Sequence, residues 1–486
     1  MGPNAQFIYA AKATQKYLAQ HSEVESELGE LVRARCAPFG HGLAIPCYEE
    51  NEGILGSLAT LAPGPLGPAL IVVVVNAPRD AAPHVHAANA QTLDAFRREY
   101  GVPEILAPST SLYPHPAGTI LVIDRASKNF LPARQGVGLA RKLGADLLLA
   151  LIEARHIRSP WIHCSDADVR FPADYFERVT FRGQKGHSAL LYPFQHVPPM
   201  DSSKEPSQDA GADDSESSLH HRDPVYQAGL QYEISLRYYV LGLQFAESSY
   251  AFHSIGSTLA VHANAYAQVR GFPRREAAED FYLLNKLAKV GKVEALPGRP
   301  LLLSSRTSSR VPFGTGAAIR RLVEPGSSEI TTYDPRVFHY LRVWQRALSR
   351  ALTIDGSEGS LSALVLQYAD EDPVVDSEKL TRALGEITAI SNAEGALSGP
   401  RKGAERKILD RFDGFQTLKL IHTLRESGLE DLPLRDALER ASFISLPLTE
   451  SSDTLDGLAV KIETLERTLS QTGGRAKNFQ GFDPPD

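Results

Sequence analysis

Cysteine is scarce in this chain. Its 486 residues include three, Cys36, Cys47 and Cys164. They lack the spacing of a metal-ligand set and are too few for a disulfide framework, which suits a reducing compartment. Long apolar runs are also missing. "ALIVVVV" (Ala69 to Val75) is only strand-length, well short of the roughly 18 residues a membrane helix needs. The N-terminal "MGPNAQFIYAAKATQKYLAQ" has neither the apolar core nor the small-residue cleavage site of a signal peptide, and Pro3 makes Met1-Gly2 a poor myristoylation match. The expectation is a cytoplasmic protein with no integral membrane anchor. Nor does one sign of charge dominate: 51 basic against 58 acidic residues leave a formal charge of −7, which argues against a polyanion-binding surface and a nucleic-acid partner. No internal repeat is present.

What is present is an ordinary globular composition, 43% hydrophobic and 22% charged. The length exceeds one ordinary core and predicts a large domain plus a smaller one. From about Gln6 to Arg35 the pattern reads helical. Then strands and helices alternate: a strand in "HGLAIPCYEE" (Leu43 to Ile45, ending at Pro46), a helix in "NEGILGSLATL", a fully apolar strand in "ALIVVVVNAP", a helix closing on Gly101, a strand "GTILVID", a long helix after "ARQGVG", and a strand "WIHCSDAD". Such alternation with short links predicts a parallel α/β sheet covered on both faces. Ligands in these sheets bind beyond the carboxyl ends of the strands, where Glu49, Asn76, Asp124, Asp166 and Asp168 fall. The polar stretch from Val197 to Pro224 reads as a mobile loop within the domain. Beyond Arg321 the strands stop and helices follow, one with Asp334 as N-cap and Pro335 at its first position. Leucines spaced three and four apart from Leu455 to Leu469 predict a helix that docks on its own domain.

"PWIHCSDADVRFP" (Pro160 to Pro172) concentrates the chemistry. On an extended backbone Asp166 and Asp168 point the same way. Two neighbouring carboxylates disfavour joint ionisation unless a cation or water relieves them. The pair is either a cation site or a solvated strand end.

Taken in order, "IPCYEENEGILGSL", "SDADVRFPADYFERV" and "VRGFPRREAAEDFYLLNKL" resemble the motifs of family-2-like glycosyltransferases with the GT-A fold, over roughly His41 to Gly316. The resemblance implies a GT-A-type, Rossmann-like, mostly parallel sheet with helices on both faces; the end of the strands beyond Arg321 adds an all-α C-terminal region. The resemblance places the transferase domain at 37–320, while composition and periodicity give its loop at 197–224, an N-terminal helical segment at 1–36, a helical region at 321–470 and a disordered tail at 471–486. It also implies the site. Asp166 and Asp168 look like the DxD that holds Mn²⁺ or Mg²⁺ against the diphosphate of a nucleotide-sugar, a task suited to hard carboxylate oxygens. Glu279-Asp280 resembles the ED motif, whose second acid serves as general base; the helix dipole alone would also favour acids there. Pro46, Tyr48 and Glu49 match the first-strand nucleotide motif, in which Glu49 or Glu50 would take ribose or base hydrogen bonds, with capping of the next helix the alternative for either.

This chain departs from the family in two places. Arg270-Gly271 stands where two glycines are usual, and Asn76 in "VVNAPRD" stands where an acidic pair contacts the base. "RQGVGLARKLG" lacks the third glycine of a dinucleotide fingerprint. Of Arg134, Arg141 and Lys142, at least two are expected on a solvated basic face, with phosphate contact the alternative for the third. Arg306 and Arg310 in "SSRTSSRVPFGTGAA" suit bidentate binding of phosphate from a loop that closes over the diphosphate. His163 and His253 read as structural histidines, and Gly256-Ser257 as part of a sugar or acceptor pocket.

The expected activity is therefore metal-dependent transfer, with inversion, from a nucleotide-sugar donor to an acceptor hydroxyl that the sequence does not name. A retaining GT-A transferase making a small glycosylated solute such as a glycerate derivative is the alternative within the class. A nucleotidyltransferase would want a Gly-rich basic loop where "PCYEENEG" stands. A non-catalytic scaffold acting through the helical region is the alternative of another class. The oligomeric state stays open, a homo-oligomer included.

Overall fold

The computed structural model of the chain describes residues 3–24, 26–180, 186–199, 223–308, 310, 314–324, 329–353, 360–398, 403–444 and 454–471. It divides into two compact units. Of the described residues, those up to 226 and 254–317 form an α/β unit, and 227–253 with 318–471 form a helical one. Of the loop expected at 197–224, residues 200–222 lie outside the described residues, as does the tail expected from 471 beyond that first residue.

The α/β unit is built on a nine-stranded sheet. Its strands are β1 (His41–Cys47), β2 (Ala69–Asn76), β3 (Glu104–Ala107), β4 (Thr110–His115), β5 (Gly118–Arg125), β6 (Trp161–Cys164), β8 (His187–Leu191), β10 (Leu259–His262) and β11 (Lys292–Ala295). Between these along the chain fall the short strands β7 (Val169–Arg170) and β9 (Phe194–Val197), which pair with β12 (Leu301–Ser304) in a small separate sheet. The large sheet runs β11-β8-β10-β6-β1-β2-β5-β4-β3. Its centre, β6-β1-β2-β5, is parallel, whereas β10 and β4 run against their neighbours on either side. This is the Rossmann-like α/β core expected, with antiparallel strands added at both margins.

Apolar content explains the centre. Every residue of β1 and β2 is buried, as befits strands covered on both faces. Helix Gly136–Glu153 packs on β1, β2 and β6. Gly144 permits its close approach, since a Cβ there would lie 2.9 Å from the Cβ of Ala44. Strand β1 does not end at Pro46 as expected but continues to Cys47. The ladder to β6 covers only Gly42–Ala44, with Ser165 N donating to Ala44 O as its last bond. Pro46 faces the same side two residues later, past the end of β6, so its missing N–H forfeits no ladder bond.

In the helical unit, Arg336–Thr353 carries the fully buried Phe338 and Trp344. The ring of Phe338 meets Tyr238 edge-on, and Gly242 leaves room for it, because a Cβ would come within 2.5 Å of the ring. Asp334 accepts from Arg336 N at 2.9 Å, as its N-terminal position predicts. Helix Leu455–Gln471 docks within this unit through Glu466, which holds Arg237 at 2.7 Å and His253 at 2.6 Å. Among the described residues of this unit, the one departure from helix is a two-residue ladder, Thr331–Thr332 with Leu432–Pro433. Among the described residues no helix is long and apolar enough to cross a membrane.

Candidate active site

Strand order reverses at β1: its sequence neighbour β2 lies on one side and β6, four strands later, on the other. The crevice beyond the carboxyl ends of β1 and β6 is therefore a topological switch point, the usual ligand site of such sheets. Three further connections converge on it. Antiparallel β10 pairs Leu259 with Cys164, which sets Gly256–Thr258 beside Ser165. Antiparallel β12 pairs Leu303 with Val169, and continuing that register brings Ser304 to Arg306 alongside Asp168. Helix Glu279–Leu287 begins with both acids of its motif.

Two arginine-centred clusters result. Arg141, 2% exposed, lies at the centre of the first. Its Nη2 pairs with Asp166, its Nε donates to Glu279 Oε1 at 2.8 Å, and its Nη1 donates to the carbonyls of Gly256 at 2.9 Å and Ser165 at 3.1 Å. Gly256 is needed here, because a Cβ would lie 2.6 Å from the Arg141 guanidinium. Burial, then repulsion from Asp280, pushes the Glu279 carboxyl up to about 7, with Arg141 opposing. Burial likewise raises Asp280, against the pull of Arg141. Asp280 Oδ1 accepts from Phe281 N at 2.7 Å. Unlike Glu279, the Asp280 side chain has no ion pair among those of the described residues.

Glu50 lies at the centre of the second cluster. Its side chain is 8% exposed, and one carboxylate oxygen takes both Arg306, at 2.9 Å, and Arg310. Arg306 Nε also holds Asp168 at 2.5 Å, while Arg310 Nη2 donates to the backbone carbonyl of Glu49 at 2.6 Å. Burial raises the Glu50 carboxyl, Asp168 adds to this, and the two arginines oppose it. The sequence offered Glu50 as a ribose or base contact or a helix cap; its side chain is instead spent on Arg306 and Arg310.

Asp166 and Asp168 thus do not face each other bare. The chain turns at Ala167-Asp168, Ala167 and Val169 are buried, and the two half-buried acids are drawn to different arginines. Pro46 is within β1, and Tyr48 follows it half-buried, its hydroxyl raised by burial and by Glu49. Glu49 has a left-handed backbone (φ 59), fixed by its N–H donating to Asn89 Oδ1 at 2.9 Å. Asn76 is buried and spends its amide nitrogen on the carbonyls of Cys47 at 2.9 Å and Val74 at 3.2 Å, tying the ends of β1 and β2 together. Asp124 accepts the N–H groups of Ala126 and Ser127 and closes the turn after β5.

The solvated basic face expected for at least two of Arg134, Arg141 and Lys142 is not found. Arg134 is exposed, but Arg141 and Lys142 are 2% and 4% exposed. Lys142 is buried because Asp146 needs a counter-ion: its Nζ lies 3.1 Å from Asp146, which also accepts from Tyr17 at 2.5 Å and Tyr266 at 2.9 Å. The second glycine of "RQGVG" serves packing. A Cβ on Gly138 would lie 2.4 Å from the carbonyl oxygen of Pro273. His163 is fully buried among Phe176, Tyr175 and Tyr192, and burial lowers its pKa well below the usual histidine value. His253 belongs to the helical unit.

The chain matches no protein-family model and no curated protein. Among solved structures, a crystal structure of residues 1–349 of TarS from S. aureus, in complex with UDP-GlcNAc, aligns over 80% of this chain and 92% of that one. The identity is 12% and the TM-score 0.32, a likeness too distant to carry an argument about the site.

Proposed function

We propose that the α/β unit is a GT-A-type glycosyltransferase, family-2-like, moving a sugar from a nucleotide-sugar to an acceptor hydroxyl with inversion. The observation that carries the reading is Arg141, which joins Asp166 of the DxD to Glu279 of the ED motif at the switch point of the sheet. Two acid motifs 113 residues apart, from Asp166 to Glu279, are thereby held in one cluster. That is the economy of a site, not of two unrelated strand and helix ends.

The residues fit a hard divalent cation. Among the described residues no three His, Cys, Asp or Glu side chains converge as a closed ligand set. Mn²⁺ and Mg²⁺ need no such set, since they use one or two carboxylates and complete the shell with water and substrate phosphate. Asp166 and Asp168 are half-buried oxygen donors of that kind and would hold the ion. When bound, it offsets charge on the departing diphosphate.

The chain's own residues supply the rest. Glu49 and Tyr48 border the crevice where the nucleoside would lie. Asp280 takes the acceptor proton as the acceptor oxygen bonds to the anomeric carbon and the bond from that carbon to the diphosphate breaks. A carboxyl raised by burial is the better base for a hydroxyl near neutral pH. Glu279, engaged with Arg141, positions rather than abstracts. Calorimetric titration with UDP-, GDP-, ADP- and dTDP-sugars, with Mn²⁺ and with chelator, tests the reading. One nucleotide-sugar should bind tightly only with the cation, and Asp168→Ala should abolish the gain that the cation brings. A folded protein that binds none of the four would refute it.

A further inference from the structure

The loop arginines are not free to receive a ligand. Arg306 commits Nε to Asp168 and Nη2 to Glu50; Arg310 commits Nη1 to Glu50 and Nη2 to the Glu49 carbonyl, with Nε 3.5 Å from the Glu49 carboxylate. Three of the four partners are negative, and Glu50 is almost fully buried between the two guanidinium groups. The loop is held in place from both sides: Ser305 N donates to Val197 O at 2.9 Å and Ser308 N to Gly316 O at 3.0 Å. Guanidinium donors that hold carboxylate oxygens suit phosphate oxygens equally.

We infer that Arg306 and Arg310 form a diphosphate site that the chain fills with its own Asp168 and Glu50 until a ligand displaces them. The inference rests on the transferase reading for the identity of the ligand. It adds a linkage. Asp168 serves either Arg306 or a cation, so a cation on Asp168 releases Arg306 for the diphosphate, and a diphosphate on Arg306 releases Asp168 for the cation. Each therefore raises the affinity of the other by the same factor. Arg306 becomes the residue through which cation and diphosphate are coupled, with no movement beyond an exchange of partners.

The test uses inorganic pyrophosphate, chelator and no metal, with the full chain in a calorimeter. Asp168→Asn and Glu50→Gln each remove a competitor, so each should tighten pyrophosphate by about tenfold, the scale of one charge-assisted hydrogen bond. Asp166→Asn removes the same charge from the same strand end but pairs with Arg141, so it should change affinity by no more than about twofold. Arg306→Gln in the Asp168→Asn background should erase the gain. If Glu50→Gln does not fold, the partly exposed Asp168 carries the comparison alone. No tightening in Asp168→Asn, or equal tightening in Asp166→Asn, overturns the inference. Nucleotide-sugars titrated into the same proteins, with Mn²⁺ and with chelator, separate it from the transferase reading. The pyrophosphate pattern without any nucleotide-sugar binding leaves the self-filled site standing and removes the transferase. Metal-dependent nucleotide-sugar binding without the pattern does the reverse.

Discussion

Replacing Arg141 by Met keeps the volume of a buried side chain and removes a charge that two acids and two carbonyls share. Glu279, with a side chain 6% exposed, is left as an uncompensated buried carboxylate. Breaking such a pair costs about 3–5 kcal/mol. Asp166 is 38% exposed on its side chain and adds little, because water replaces the lost partner. The carbonyls of Ser165 and Gly256 lose one donor each, and the total cost is expected at about 4 kcal/mol near pH 8. The sign with pH follows from Glu279. Its carboxyl titrates near 7 in the folded chain against an ordinary 4.5. The folded state therefore binds more protons between those values, and stability falls as pH rises through that window. Without Arg141 the folded value rises further, so the variant's deficit should be largest near pH 8 and should shrink toward pH 5, where Glu279 is protonated in both proteins. The assay is urea denaturation followed by tryptophan fluorescence. The chain has two tryptophans, Trp161 in the sheet and Trp344 in the helical unit, so a Trp344→Phe background leaves a reporter of the α/β unit alone. Adding Glu279→Gln to Arg141→Met should restore roughly half of the loss. A deficit under about 1 kcal/mol, a deficit flat from pH 5 to 8, or no rescue by Glu279→Gln would refute the assignment of Arg141 as the tie between the motifs.

Other expectations follow from the same site. Asp280→Asn should lower kcat by about 10²–10⁴-fold while leaving calorimetric nucleotide-sugar affinity within about twofold; an equal loss of binding would move Asp280 from base to donor ligand. The anomeric configuration of the product, read from its NMR coupling constants, should be opposite to that of the donor; the same configuration would favour the retaining alternative. Gly256→Ala places a methyl 2.6 Å from the Arg141 guanidinium. It should destabilise the α/β unit by about 1–3 kcal/mol in the Trp161 assay, and a neutral result would mean that Arg141 can shift aside.

How far the sequence could be read depended on what each signal encodes. The central strands were legible because burial on both faces makes them continuously apolar: "ALIVVVV" is β2, and "WIHC" is β6. The strands β3, β9 and β12 were not. β3 alternates weakly and is exposed to half-buried throughout, and β9 and β12 are four residues each, too short to show a period. Yet it is β12 that sets the site, since its pairing with β7 delivers Arg306 to Asp168. The acids stood out as candidates, because one pair falls just past a strand and the other opens a helix. Their partners did not, because an arginine at a helix start gives no sign of whether it faces water or a carboxylate 138 residues away, as Arg141 does Glu279. Arg141 and Lys142 are adjacent, both buried, and neutralise acids in different places. Composition and periodicity assign charged residues to the surface by default. Where a cation is buried against acids brought from elsewhere in the chain, the default fails, and in this protein the place where it fails for Arg141 is the proposed site itself.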